Sequence, residues 1–463
     1  SYTHHVQIKK TCIRTLYKQP ERYQEDCDVG AIMKKIEDLI IVEGNEKIIL
    51  FNKSNCHWVR MPKEKYDLML SDLSEKERME AFLNKKFGLL EETESVTPQI
   101  RSVYYSVTGK CNLNCEFCTM NSGPNVSTEN DFTLQEIQEN LIPKLKQLNP
   151  RKVIITGGEP LVRKDANRII KSFSEAFGKS KIILQSNGLL LTYEQISELA
   201  DYIGILEVSI ENIFENDRLQ TRMEGLFAFA RKLGIQLSLS FVVDSASRKY
   251  LYDAIEICHK YEAALTTRIV ALVGRATKNN KNDDVLNEKN TLQVQYDIIS
   301  YLIKKGYYED TLTGCYCGSL QPKRSCGAFG NILAIHPDGT TYMCSNFKEK
   351  RYSMGNIRQK NMGEICENLY AKIKDDSFTS EFLVDRQKMC NGCKMMYFCS
   401  GPCTAEAAEN RENMEQMEKK CFATRAMLNY SMFFYDSQKG VEDNLKALEQ
   451  YLRTVLDKME IPA

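Results

Sequence analysis

Residues 103–118 read Val-Tyr-Tyr-Ser-Val-Thr-Gly-Lys-Cys-Asn-Leu-Asn-Cys-Glu-Phe-Cys. The apolar start of this stretch predicts a buried strand. Cys111, Cys115 and Cys118 follow it directly in a Cys-x3-Cys-x2-Cys loop. Three thiolates on one short loop can bind three irons of a cubane cluster and leave the fourth iron open. Catalytic metal centres keep such an open position, whereas a structural zinc site, the alternative, needs four ligands.

Short runs rich in Val and Ile recur on the carboxyl side of this loop, and amphipathic helical patterns separate most of them. The runs are 153–156, 181–186, 205–210, 235–243 and 266–273, and the helical patterns are 133–148, 193–202 and 217–233. With 103–107 this makes six predicted strands, and their alternation with helices predicts βαβ units and a parallel sheet. We therefore expect an α/β domain over 101–310 with functional residues at the carboxyl ends of its strands.

The composition excludes several classes of protein. The chain has 463 residues, 43% of them hydrophobic and 27% charged, which is typical of a soluble globular protein with more than one domain. Lys+Arg and Asp+Glu both number 62, and this balance argues against a nucleic-acid partner. No window predicts a membrane helix and the start has no signal-peptide pattern, so we expect a cytoplasmic protein. In a reducing compartment, 17 Cys indicate metal binding and not disulfides.

The cysteine loop, with the aromatic Phe117 before its last Cys, resembles the signature of the radical S-adenosylmethionine (SAM) enzymes. Further matches lie at the ends of later strands. They are Thr156, Gly157, Gly158, Glu159 and Pro160, which resemble the GGEP motif; Ser186, Asn187 and Gly188, which resemble the TNG turn; Ser209 and Arg222; and Gly274, Arg275 and Ala276, which resemble a GRA turn. The resemblance implies a partial (β/α)6 TIM-like barrel. It also implies that GGEP meets the SAM amino group, that Ser209 and Arg222 hold the SAM carboxylate, and that the GRA turn lies near the adenosine. Each of these residues could instead have a purely structural role.

The region from about 311 to 425 is Cys-rich and irregular, and its spacing resembles the SPASM extension of radical SAM enzymes that modify peptides and proteins. The matching residues are Cys326, Gly339, Cys344, Cys390, Cys393, Cys399, Cys403 and Cys421. The resemblance implies two auxiliary [4Fe-4S] clusters, and so three clusters in all. The outer cluster would use Cys390, Cys393, Cys399 and Cys421; the inner one would use Cys326, Cys344 and Cys403. Either Cys315 or Cys317 closes the inner cluster, or its last iron stays open. A zinc ribbon would explain four of these seven cysteines and leave three unexplained.

Residues 1–95 contain a predicted hairpin at 47–61 followed by two helical patterns at 63–73 and 74–90. This zone resembles the winged-helix element that captures leader peptides of ribosomally made, modified peptides, in which an extended leader adds as a strand to the sheet edge. A DNA-binding winged helix and a structural cap are the alternatives. Trp58 is interpreted as a packing residue of this sheet. Residues 426–463 are expected to form a helical tail, with a helix near 442–459.

Together these features predict a peptide maturase that cleaves SAM to a 5′-deoxyadenosyl radical and installs an oxidative intramolecular crosslink in a precursor peptide. A thioether is the first choice and a carbon–carbon or ether link the second; a flavodoxin or ferredoxin would donate the electron. One alternative is a sulfatase-maturing type oxidase that forms formylglycine. The other is a non-enzymatic, metal-stabilised protein that binds peptides or DNA. The sequence nominates no catalytic acid or base, and His259 and His336 are interpreted as structural.

Overall fold

The computed structural model describes residues 34–92, 99–278, 287–316, 320–411 and 415–461. The strands in these ranges are β1 (Ile40–Glu43), β2 (Lys47–Phe51), β3 (Trp58–Pro62), β4 (Ser102–Ser106), β5 (Lys152–Thr156), β6 (Ile182–Ser186), β7 (Ile205–Ser209), β8 (Gln236–Val243), β9 (Ala264–Ile269), β10 (Ile332–Ile335), β11 (Thr340–Tyr342) and β12 (Ser353–Asn356). The helices are α1 (Lys63–Ser71), α2 (Leu73–Phe87), α3 (Leu134–Glu136), α4 (Ile142–Lys146), α5 (Ala166–Phe177), α6 (Tyr193–Leu199), α7 (Asp217–Lys232), α8 (Leu251–Lys260), α9 (Glu288–Lys305), α10 (Asp310–Thr313), α11 (Met362–Lys374), α12 (Asp376–Thr379), α13 (Met396–Cys399), α14 (Thr404–Glu409), α15 (Glu415–Asn429) and α16 (Val441–Lys458).

Six parallel strands, β4 to β9, lie side by side in chain order and form the curved wall of a partial barrel. Each strand overlaps one of the six apolar runs of the sequence, although β9 ends four residues before its run does, so the predicted α/β fold is confirmed. Val153, Ile155 and Leu184 alternate along β5 and β6 and are fully buried in the core between sheet and helices. Because parallel strands all end at the same edge, the loops after β4 to β9 meet on one side of the molecule.

The sheet extends beyond the barrel. Strand β10 pairs parallel with β4, with Leu333 opposite Val103, and β11 and β12 then continue the sheet antiparallel. The Cys-rich region is therefore joined by backbone hydrogen bonds to the first barrel strand. The sequence did not predict this pairing, because 230 positions separate the two strands and strand pairing over such a distance depends on the tertiary fold.

The N-terminal sheet, in the order β1-β2-β3, is covered on both faces. Ile48 and Leu50 face α1 and α2, whereas Ile49 and Phe51 face the Cys-rich region. Trp58 packs edge-on against Phe398 with ring centroids 5.6 Å apart, in keeping with its predicted packing role. The hairpin and both helices agree with the sequence prediction; β1 is an additional strand.

The C-terminal helix α16 matches the predicted tail helix and packs against α9. Leu445, Leu448 and Val455 on α16 belong to the same buried core as the barrel strands. No helix in the described ranges is long and apolar enough to cross a membrane.

Candidate active site

The cysteine loop leaves β4 and folds back over the carboxyl ends of the strands. The Cys111 amide donates to the Gly123 carbonyl at 3.1 Å, and the Cys118 amide donates to the Cys115 carbonyl at 3.2 Å. Burial, together with the charges of neighbouring Cys118 and Cys111, raises the pKa of the Cys115 thiol to about 11. The three sulfurs therefore lie within electrostatic range of one another, and a metal would have to displace their protons on binding.

The donor set of this loop is three cysteine sulfurs, the ligand type of iron–sulfur clusters. Within the described ranges, no three His, Cys, Asp or Glu side chains converge closely enough to hold one metal ion. No disulfide joins the cysteines of the described residues.

The two glycines after β5 let the chain pass directly beneath the cysteine loop. A Cβ on Gly157, whose φ is +149°, would lie 2.5 Å from the Thr108 carbonyl oxygen, and one on Gly158 would lie 2.2 Å from that of Lys110. The Gly158 amide donates to the Thr108 carbonyl at 2.8 Å, and the Glu159 amide donates to the Lys110 carbonyl at 2.9 Å. Glycine is required here because the backbones touch.

The Glu159 carboxylate is fully buried and has three partners within the protein. It accepts hydrogen bonds from the Leu161 amide at 3.0 Å, the Ser186 hydroxyl at 2.9 Å and the Asn187 amide at 2.7 Å. Burial raises the pKa of this carboxyl group. Glu159 therefore joins the end of β5 to the end of β6, while its contact with the SAM amino group stays a prediction. Pro160, also buried, begins the turn Pro160–Val162.

The turn after β6 contacts the cysteine loop. Asn187 donates to the side-chain oxygen of Asn112 at 2.8 Å and lies 3.8 Å from the Cys111 sulfur. Gly188, with φ +75°, passes against Met223 and Val208. The turn therefore places an amide group beside one of the three thiols.

Ser209 and Arg222 have different positions. Ser209 lines the cavity described below, at the end of β7. Arg222 is exposed on α7, outside that lining, and its guanidinium donates to the Leu189 and Leu191 carbonyls. Its predicted contact with the SAM carboxylate stays a prediction.

Arg275 supports the later part of the cysteine loop. Its Nε donates to the Cys115 carbonyl at 2.8 Å, its Nη2 to the Ser122 carbonyl at 2.6 Å, and its amide to the Cys118 carbonyl at 3.2 Å. Gly274, with φ +67°, allows this approach, because a Cβ there would lie 2.7 Å from the Cys118 carbonyl.

A cavity of about 470 Å³ opens between these elements. The predicted residues that line it are Cys111, Cys115, Phe117, Cys118, Thr156, Gly157, Gly158, Ser186, Asn187, Ser209, Arg275 and Cys344. It is of the size that holds a small ligand or part of a larger one.

Sequence reasoning missed several charged and polar residues of the cavity wall. They include Tyr104, Gln185, Glu207, Glu211 and Arg268. Gln185 donates to Glu207 at 3.1 Å, and Arg268 lies 3.7 Å from the same carboxylate. Burial raises the pKa of Glu211 to about 7. Polar side chains at every second strand position, such as Glu207 and Ser209, were the signal, since alternate residues of a strand face the same side.

The other cysteines form two further groups. Burial and the charges of Cys399, Cys393 and Cys421 raise the pKa of Cys390 to about 12. In the second group, burial raises the pKa of Cys403 to about 12, with added contributions from Glu406, Cys344 and Cys326. The assignment of these two groups to an outer and an inner cluster stays a prediction.

The fourth ligand of the inner group stays a prediction. Cys315 is exposed, and its sulfur contacts the buried Tyr316. Cys317 lies outside the described residues. Cys344 is the described member of this group that lines the cavity, and it therefore borders the same cavity as the cysteine loop.

Comparison with known proteins identifies two domains. Residues 105–274 match the model of the Radical SAM superfamily, and residues 326–394 match that of SPASM, an iron-sulfur cluster-binding domain. Among curated proteins, the chain is 24% identical to Fe-coproporphyrin III synthase of Methanosarcina barkeri, over 71% of the chain and 89% of that protein. It is also 24% identical to GTP 3′,8-cyclase of Clostridium perfringens, over 59% of the chain and 90% of that protein.

Solved structures show a similar fold. Streptococcus suis SuiB bound to S-adenosylmethionine superposes with a TM-score of 0.51 at 15% identity, over 82% of the chain and 97% of SuiB. The anSMEcpe structure with bound AdoMet and Cp18Cys peptide has a TM-score of 0.53 at 16% identity, over 76% of the chain and 99% of that protein. At these identities the similarity concerns the fold.

Proposed function

We propose that this radical SAM and SPASM enzyme is a maturase, which abstracts hydrogen from a ribosomally made precursor peptide and forms an oxidative intramolecular crosslink in it. The observation that supports the proposal is that the three-cysteine loop and Cys344 of the SPASM region line the same cavity. A substrate in this cavity would lie between a site that starts a radical reaction and a site that could take up an electron.

The residues present fit the cofactors that these domains imply. Cys111, Cys115 and Cys118 would hold a [4Fe-4S] cluster with one open iron, and the cavity beside Gly157 and Ser209 would hold SAM. When bound, cluster and SAM together supply a 5′-deoxyadenosyl radical that removes a hydrogen atom from the substrate. Two further [4Fe-4S] clusters would occupy the SPASM cysteine groups, giving three in all.

The protein's own contribution is position and shielding. The GGEP glycines contact the start of the cysteine loop and Arg275 contacts its later part, and together these contacts limit where a ligand of the open iron can lie. The barrel wall then presents Gln185, Glu207 and Arg268 to the substrate. These polar groups can bind amide and charged groups of a peptide while the cavity excludes bulk water.

The N-terminal domain, taken here as about residues 34–92, would bind the leader of the precursor. Both faces of its sheet are covered, so a peptide can add only at an edge. No backbone hydrogen bond among the described residues joins the outer edge of β1 or of β3 to another segment. An extended leader could pair with one of these edges through main-chain hydrogen bonds.

A small-molecule substrate is the second candidate. By their names, one curated relative forms an Fe-coproporphyrin and another cyclises GTP, and a cavity of about 470 Å³ is large enough for part of such a molecule. The sulfatase-maturing type oxidation is a further alternative within the peptide class. These candidates differ in product, so one assay can separate them.

The first test measures iron, sulfide and SAM cleavage in anaerobically reconstituted protein and in a Cys111, Cys115 and Cys118 triple Ala variant. We expect about twelve irons per chain in the wild type and about four fewer in the variant, which should not cleave SAM. Stoichiometric zinc without iron would contradict the radical mechanism.

The second test uses synthetic peptides encoded by short reading frames beside the gene. A crosslink lowers peptide mass by a pair of hydrogens, and tandem mass spectrometry locates a thioether, carbon–carbon or ether link. Conversion of Cys or Ser to an aldehyde would support formylglycine formation instead. If the enzyme cleaves SAM but modifies none of these peptides, and instead converts GTP or a porphyrin, the small-molecule reading would replace the maturase.

A further inference from the structure

The segment after β9, residues 270–275, lies between the SAM-site cysteine loop and the SPASM region. On one side, Arg275 and Gly274 contact the carbonyls of the cysteine loop as described above. On the other side, side chains of α14 and α15 hold its backbone. We refer to residues 270–275 as the connecting segment.

Four polar side chains of the SPASM region bind the connecting segment. The Leu272 amide donates to the Glu406 carboxylate at 2.7 Å, and the Gly274 amide donates to the Glu409 carboxylate at 2.7 Å. Asn410 donates to the Leu272 carbonyl at 2.6 Å and Lys420 donates to the Val270 carbonyl at 2.8 Å. Both the amides and the carbonyls of this short segment are thus held.

These side chains lie beside two of the cysteines assigned to auxiliary clusters. Cys403 is the residue at the start of α14, which carries Glu406 and Glu409, and Cys421 follows Lys420 directly on α15. Glu406 is 6% exposed and forms an ion pair with Lys420, which joins the two helices. A displacement of either helix would therefore move the groups that hold the connecting segment.

We infer that Glu406, Glu409 and Lys420 are positioning residues for the SAM site. They couple the positions of α14 and α15 to the connecting segment. Through Arg275, the connecting segment in turn positions the carbonyls of Cys115 and Cys118. Carboxylates that accept backbone amides make strong, charge-assisted hydrogen bonds, and a segment held on both sides has little freedom to relax. Formation of the auxiliary clusters would thereby order the loop that binds the SAM-cleaving cluster.

The inference rests on the proposed use of SAM at this site, so its test has one readout that needs neither SAM nor iron. Hydrogen exchange is measured in the cluster-free protein for wild type, Glu409→Ala and Glu409→Gln. Loss of the Gly274 hydrogen bond should speed exchange of the amides in 115–122 about tenfold in Glu409→Ala. Glu409→Gln should restore slow exchange, because its side-chain oxygen can still accept from Gly274.

The second readout is the electron paramagnetic resonance spectrum of reduced, reconstituted protein with and without SAM. In Glu409→Ala we expect unchanged iron content, SAM affinity about five- to tenfold weaker, and a smaller SAM-induced change in the spectrum. Asp376→Ala is the control, because it likewise removes a carboxylate of this region, one that is exposed and pairs with Arg386 and not with the connecting segment.

The outcomes separate the two proposals. If the wild type binds no SAM, the proposed function fails, while hydrogen exchange still decides the role of Glu409. If exchange increases in 270–275 only and not in 115–122, the coupling is refuted. Lys420→Met removes the contact that α15 makes with Val270, and it should give the same exchange pattern as Glu409→Ala. Wild-type exchange rates in both variants would also refute the coupling.

Discussion

Replacing Gly158 by Ala should disable the SAM site through one methyl group. The added Cβ would lie 2.2 Å from the Lys110 carbonyl oxygen and 2.7 Å from its carbon, both backbone atoms. Ordinary contact requires about 1 Å more, so the cysteine loop must move by roughly that distance. A displacement of this size in a reacting site costs about a hundredfold in rate.

The same displacement weakens two hydrogen bonds, those from the Gly158 and Glu159 amides to the loop. At about 1 kcal/mol for each bond and 1–3 kcal/mol for overpacking, we expect a loss of about 3–5 kcal/mol in the free energy of unfolding. Urea unfolding of the cluster-free protein measures this loss. Iron content and SAM cleavage of the reconstituted protein measure the effect on the site.

Gly440→Ala provides the matched control, because nothing lies within 4 Å of a Cβ at that position and its φ is −67°. It should lower the free energy of unfolding by no more than about 1 kcal/mol, because Gly440 is the N-cap of α16 and Ala is less favourable there, and it should leave iron content and SAM cleavage unchanged. Wild-type iron content and SAM cleavage in Gly158→Ala would refute the close contact between the two loops.

Three other predictions concern separate parts of the molecule. Ser209→Ala and Arg222→Ala test the predicted contacts with the SAM carboxylate, and each should weaken SAM binding about tenfold in equilibrium binding. A dissociation constant within about twofold of wild type in Arg222→Ala would contradict its contact and leave it only the hydrogen bonds to the Leu189 and Leu191 carbonyls. Glu211 has a folded pKa of about 7, above its usual 4.5, so the folded state binds its proton more tightly and stability is lost as pH rises from about 4.5 to about 7. The free energy of unfolding of Glu211→Gln should therefore rise relative to that of wild type across this pH range, by up to about 3 kcal/mol in urea unfolding of the cluster-free protein. A difference between the two proteins that does not change with pH would contradict the raised pKa. Phe51→Ala, which empties a fully buried site packed against Tyr397 and Phe398, should lower the free energy of unfolding by about 3–5 kcal/mol, and Ile41→Ala at an exposed position of the same sheet is its control.

Much of the site was predictable because its signals are local. The spacing of Cys111, Cys115 and Cys118 fixes three donors on one loop, whatever the rest of the chain does. The role of the glycines at 157 and 158 was equally predictable, since a run of small residues after a buried strand indicates close backbone approach. The six barrel strands followed from apolar runs and their spacing.

The cavity wall was less predictable, for a physical reason. Glu207 and Arg268 face the same space only because β7, β8 and β9 pair in a particular register, and register depends on contacts far apart in sequence. Glu159 is an example of the same limit. Its position in the GGEP motif was evident, but its three hydrogen-bond partners at 161, 186 and 187 are known only from the fold.

The sequence by itself determined which chemistry the chain can hold: the cysteine groups, the glycine turns and an α/β barrel to carry them. Only the tertiary structure decided how these parts meet. It brought Cys344 to the cavity of the cysteine loop, joined β10 to β4, and left Arg222 on the surface. Donor spacing is a property of neighbouring residues, whereas shared cavities and strand pairings arise from packing between segments that the chain keeps far apart.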